Sequence, residues 1–295
     1  MSLRSRKRCA VAQATRRRVR VTGGLCLLLL VALASGSGAQ SLPQRQLRVC
    51  ADPNNLPFSN EWLEGFENKL AELIARELNA TLTYTWWAQR RGFIRNTLKA
   101  ATCDLWMGVP RRLDAVLTTS PYYRSTYVFV YRQADGPAVR SLDDPILHTV
   151  KIGVQLIGND GANSPPAHAL ARRNIIENVV GYSVYGDYAQ PNPTARIIEA
   201  VATGAVDVAV VWGPIAGYFA RSQPVPLALV PVTPSQDAPA LPFVFDIALG
   251  VRRGEEAFRA ELDAILQRRR PDITRILDAY GVPRVETAEP RAVAQ

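Results

Sequence analysis

Few residues in this 295-residue chain are of a type and spacing that do chemistry. His148 and His168 are its only two histidines, and neither sits in a CxxC or HExxH pattern, so a zinc site lacks its ligands. There is no GxSxG elbow to present a serine, no GxxxxGK[ST] phosphate loop and no GxGxxG after a strand. Nucleophilic, phosphoryl-transfer and hydride chemistry therefore all lack their minimal parts. Asp143 and Asp144 are adjacent, and neighbours in sequence rarely face one site, so the pair before Pro145 reads as the cap of a turn. No catalytic residue, metal ligand or bound cofactor is expected.

What remains is aromatic. Phe58, Trp62, Trp86, Trp87, Trp106, Trp212 and Tyr218 fall near the ends of predicted strands, where open α/β sheets place their ligand crevices. Such walls with few polar groups favour an apolar ligand or a protein segment, although any one of these rings is equally at home in a core. Cys50 and Cys103 lie at or next to strands of one predicted lobe, and an even pair in an exported chain predicts a disulfide; two buried thiols are the alternative. On the chain-entropy account, closing that loop of about fifty residues stabilises the fold by roughly 4 kcal/mol.

The elements that must hold these side chains alternate between strand and helix, which predicts parallel sheets covered by helices. Strands are expected over 47–51, 81–87 and 104–109, with helices between them. Phe66, Leu70, Leu73, Ile74 and Leu78 recur at helical spacing in the first helix, and the second is expected over about 93–101. A strand at 125–132 runs into the turn formers Gln133-Ala134-Asp135-Gly136-Pro137, where a lobe boundary is placed. Further strands are expected at 150–155, 206–212 and 243–251, with helices after Ser164 and around Ile197, Ile198 and Val201. Prolines between 224 and 242 exclude long helices, and the chain is helical again from Glu255 to near Gly281, broken at Pro271.

Residues 1–39 have the layout of an export signal: eight basic residues without an acid, an apolar run over 25–34, and the small residues Ser37-Gly38-Ala39 before an expected cleavage at Gln40. That apolar run is well short of the roughly twenty residues of a membrane span. Thr15-Arg16-Arg17 loosely matches a twin-arginine signal, and an ordinary basic leader is the preferred reading. Of the 35 basic residues, 27 remain against 26 acidic ones once the leader is set aside, so the net charge of +9 gives no ground for nucleic-acid binding. Arg268-Arg269-Arg270 closes a helix, where cations complement the macrodipole.

From Leu47 to about Pro283 the chain resembles the type 2 periplasmic solute-binding fold, on Ala51-Asp52, Leu56-Pro57-Phe58-Ser59, Gly65-Phe66-Glu67 and Pro121-Tyr122-Tyr123. The longer runs at residues 48–59, 84–93 and 181–188 resemble the binding-protein-like component of bacterial methanol-oxidation gene clusters, which accompanies pyrroloquinoline-quinone alcohol dehydrogenases. The resemblance implies an α/β, two-lobed periplasmic protein with two hinge strands. Lobe 1 is then discontinuous (40–133 and 245–285), lobe 2 covers 134–244, and 286–295 is a disordered tail. Hinge closure about Gln133 and Phe245 follows from it.

Two departures from the amino-acid-binding branch bear on the ligand. That branch takes the ligand carboxylate on an arginine preceded by threonine, whereas here the stretch is Gly108-Val109-Pro110-Arg111-Arg112, leaving Arg112 as the anion partner. It commonly places an aspartate for the ligand ammonium where Trp212 stands here. A buried ammonium without its partner is strongly disfavoured, which argues against a free amino acid. The expected cleft is Phe58, Trp87, Arg112 and Trp212. The preferred reading is a non-enzymatic accessory protein whose partner is a periplasmic quinoprotein alcohol dehydrogenase, with a small molecule or peptide in the cleft as a further partner. The other reading is a receptor delivering a small solute to an ABC transporter.

Overall fold

The computed structural model describes residues 45–157, 163–183 and 188–286. The export signal, most of the expected tail and the glycine-rich loop at 158–162 lie outside the described residues.

The first lobe is built on β1 (Gln46–Ala51), β2 (Thr81–Trp86) and β3 (Leu105–Pro110), with α1 (Phe66–Glu77) crossing between the first two. Val49 and Cys50 pair in parallel with both β2 and β3, so β1 is the inner strand. On α1 the expected apolar stripe is buried on this sheet, with Phe66, Leu70 and Ile74 almost fully enclosed. The helix expected over 93–101 is a single turn, α2 (Phe93–Asn96). It stops at Thr97, whose hydroxyl donates to the Phe93 carbonyl and whose backbone leaves the helical region (φ −120°, ψ −90°). Cys50 and Cys103 are joined in a disulfide, with Cα atoms 5.4 Å apart, inside a small core of Phe93, Leu98, Trp106 and Val109.

β4 (Tyr123–Arg132) joins the lobes by changing partners along its length. Its first residues pair antiparallel with β9 (Val244–Val251), and Tyr127 to Arg132 pair with lobe 2 strands. The exchange falls between Thr126 and Tyr127, upstream of Gln133, so the end of β4 belongs to the lobe 2 sheet. Lobe 2 continues with β5 (Ile152–Leu156), α3 (Pro165–Arg172), β6 (Val179–Ser183), α4 (Arg196–Thr203), β7 (Val208–Trp212), α5 (Gly213–Ala220) and β8 (Leu227–Pro231). The sheet runs β2-β1-β3-β9-β4-β7-β5-β6, with β8 on β4. α6 (Glu256–Arg268) and α7 (Arg270–Ala279) then return to lobe 1, parted at Pro271 in the first turn of α7.

Besides α2, three elements differ from expectation. α5 follows Trp212 without a break, because Pro214 sits in a first turn that needs no amide donor. β6 and β8 went unseen: β6 mixes Gly181 and Ser183 into an exposed strand, and β8 ends on Pro231 amid the proline-rich stretch, which an edge position tolerates. Arg268 and Arg269 do more than close a helix, since both form ion pairs with Glu77 at the end of α1. Asp144 caps a short turn by accepting from the Ile146 amide, as expected of that pair.

Candidate functional site

A cavity of about 750 Å³ opens where the lobes meet, inside the range of small-molecule sites. Lobe 1 supplies Asp52, Phe58, Glu67 and Trp106, the hinge strands supply Tyr127, Phe245 and Ile247, and lobe 2 supplies Gln155, Ser164, Tyr188, Trp212 and Ile215. Parallel strands ending at one edge put these residues together, with Asp52 just past β1, Gln155 in β5 and Trp212 at the end of β7.

Trp212 is held from several sides. Its backbone N–H donates to Gln155 Oε1 (3.0 Å), and its ring meets Tyr127 and Phe245 edge-on at 5.3 and 5.8 Å. The ring packs against the cores of both lobes and still lines the cavity, so it is not withdrawn into its own half. Phe58 also touches both cores and lines the cavity.

The structure separates the other two expected cleft residues from these. Trp87 is 43% exposed and absent from the lining, because it follows the edge strand β2 and meets solvent. Arg112 sits exposed in the turn after β3 with φ 74°, and that left-handed turn carries it outside the lining. Among the wider set of aromatics, Trp106 lines the cavity, Trp62 is exposed, Trp86 stacks on Tyr84 and Tyr218 stacks on Tyr280.

Sequence reasoning missed two acids. Asp52 is buried; its Oδ1 accepts from the Asn54 amide (2.9 Å), and its Oδ2 accepts from the Gln89 amide (2.6 Å) and from the Tyr188 hydroxyl. Burial raises its pKa, and these bonds and the Arg90 charge offset that only in part. Glu67, 7% exposed, lies in the first turn of α1 and has no side-chain hydrogen bond among the described residues. The helix dipole favours an anion there, yet desolvation wins, and with the charge of Asp52 it pushes Glu67 up to about 8. At neutral pH Glu67 therefore carries its proton. Room for it comes from Gly108 (φ +71°), where a Cβ would stand 2.3 Å from Glu67 Oε1. Its signal in sequence was its spacing, since it falls three and seven residues before Leu70 and Ile74 on the apolar stripe.

Arg90, Arg91, Arg95 and Lys99 form one lip of the cavity. Arg90 lies 6.0 Å over the Tyr188 ring, and none of the four has an ion pair among the described residues. No acid occurs between residues 88 and 103 to neutralise them. The described residues hold no group of three His, Cys, Asp or Glu side chains arranged for a metal ion.

The family model for bacterial extracellular solute-binding proteins, family 3, matches residues 47–282. The chain belongs to that family. Within it, the chain is 32% identical over 244 residues to the protein MoxJ of Methylorubrum extorquens, covering 80% of this chain and 81% of that one. MoxJ of Paracoccus denitrificans is 29% identical over 268 residues, covering 86% and 93%. Among solved structures, the periplasmic binding protein XoxJ from Methylobacterium extorquens AM1 superposes with a TM-score of 0.67 at 36% identity, over 82% of this chain and 100% of that one. MxaJ from Methlophaga aminisulfidivorans MPT gives 0.69 at 25% identity, over 81% and 100%. The chain is thus a MoxJ-like member of the family with the two-lobed α/β fold, as the resemblance implied.

Proposed function

We propose that this solute-binding-family protein is a non-enzymatic periplasmic accessory that binds a pyrroloquinoline-quinone methanol or alcohol dehydrogenase and assists its maturation or activation. Its relation to MoxJ and XoxJ over most of their lengths supports the setting. The observation that carries the reading is the cavity wall of lobe 2: among the described residues it is made by Gln155, Ile157, Ser164, Tyr188, Trp212 and Ile215, none of them charged. A receptor that closes on a free amino acid needs a carboxylate for the ammonium, and here the indole of Trp212 faces that space instead.

Calorimetry between the purified protein and the cognate dehydrogenase, in its cofactor-free and loaded forms, tests this. Association is expected with at least one form, and Trp212→Asp is expected to weaken it tenfold or more. Absence of binding to both forms overturns the reading. Delivery of a small solute to an ABC transporter is the second reading, favoured by family membership and by a cavity of small-molecule size.

A further inference from the structure

The polar groups around the cavity are unequally committed. Asp52 already accepts from three donors. Gln155 Oε1 is taken by the Trp212 amide, and the Ser164 hydroxyl donates to the Gln155 carbonyl. What is left over is nearly all donor or cation. The Trp106 indole N–H is buried without a partner among the described residues, and Trp106 itself, 9% exposed, lines the cavity. The Glu67 side chain is buried with no hydrogen bond among the described residues and is protonated at neutral pH, so it too has a hydrogen to give. Arg91, Arg95 and Lys99 have no ion pair among the described residues, while thirteen other basic side chains do.

Charge settles which sign of ligand fits. Four cations and one ionised carboxylate, Asp52, face the space, and that carboxylate has Arg90 as its charged neighbour. Another part of the lining is apolar, made by Phe58, Tyr127, Trp212 and Phe245, with the last three rings set edge-to-face. A ligand complementary to both sides has an aromatic body and two or more anionic acceptor groups.

We infer that the cavity is a binding site for an aromatic polycarboxylate, with the ring system against Trp212, Tyr127 and Phe245 and the carboxylates toward Arg91, Arg95 and Lys99. This goes beyond the accessory reading and is separable from it, since it concerns the isolated protein.

The test is titration calorimetry of the purified protein with naphthalene-2,6-dicarboxylate, repeated with its dimethyl ester and with 2,6-bis(aminomethyl)naphthalene. The dicarboxylate is expected to bind, with affinity that falls as salt rises, and the ester and the diamine are expected to bind at least tenfold more weakly. In the exposed-lip variant R91Q/R95Q/K99Q, shown to be folded by circular dichroism, the dicarboxylate is expected to lose tenfold or more and most of its salt dependence. Equal or tighter binding of the ester or the diamine overturns the proposal. So does failure of the dicarboxylate to bind at millimolar concentration, or unchanged binding to the triple variant. Association with the dehydrogenase is read by a different experiment, so either idea can fail alone.

Discussion

Glu67 is the residue at which competing physical effects are most clearly ranked. Its place in the first turn of a helix would lower its pKa by a fraction of a unit to about one unit, whereas full burial beside Asp52, Tyr122 and Tyr123 raises it to about 8. The native state then holds a proton that the unfolded state releases near 4.5. Because the folded form binds more protons between those values, stability falls as pH rises from about 4.5 to 8, by at most about 5 kcal/mol, and levels off above. Asp52, also raised, acts in the same sense at the acid end, while Asp104 and Asp237, held low by arginines, lose their contribution only below the ordinary carboxylate range. Urea unfolding of Glu67→Gln is expected to show much less decline across pH 5–8 than the parent. A decline of the same size would mean that other groups set the slope. Sequence could place Trp212 and Phe58 at the cavity, because an aromatic at a strand end is visible in one dimension. Asp52 and Glu67 could not be ranked so, since their importance depends on water being excluded by residues far away in the chain.

At the level of elements, periodicity made most strands and helices legible to within a few residues. α1 and β7 are the clearest, because burial demands apolar side chains at fixed intervals. The failures share a cause: α2, β6 and β8 are short or half-exposed, so their hydrogen bonds rather than their hydrophobicity define them. One contact beyond the reach of any pattern is between α5 and the turn after α7. A Cβ on Gly217 would stand 1.9 Å from the Gly281 carbonyl, and Arg221 donates to the Ala279 carbonyl alongside (2.7 Å). Gly217→Ala is therefore expected to cost about 2–3 kcal/mol in urea unfolding, because backbone must move. Gly254→Ala, at φ +90° with open space around it, should cost only about 1 kcal/mol of backbone strain. Equal losses at the two sites would show that crowding at the helix–turn contact is relieved without strain.

Across the whole molecule the lobes are tied at the mouth of the cavity as well as at the hinge. Tyr188 donates to Asp52, Asn54 Nδ2 donates to the Gln190 carbonyl (2.9 Å), and the Thr194 hydroxyl donates to the Leu56 carbonyl (2.6 Å). Leu56 itself is inserted into the core of lobe 2. Removing the Tyr188 hydroxyl takes one charge-assisted bond from this closed arrangement, about 1.5–3 kcal/mol. Tyr188→Phe is expected to raise the radius of gyration measured by small-angle X-ray scattering while leaving the circular dichroism spectrum unchanged. An unaltered scattering curve would show that the remaining ties suffice. None of these long-range pairs was legible in sequence, since the partners lie far apart along the chain; only the two-lobed plan was, through its likeness to a known fold.

The position of β9 in the sheet has a consequence for biogenesis. It lies between β3 and β4, yet its residues, Val244–Val251, arrive when most of the chain has already been made. Until then a growing polypeptide leaves the flanks of β3 and β4 without this neighbour, ready to pair with a foreign strand. The covalent link between Cys50 and Cys103 can form in that interval, shortening the loose chain before its keystone is set. Truncated products ending before Val244 would therefore be cross-linked but unable to close, and would be substrates for quality-control proteases and chaperones.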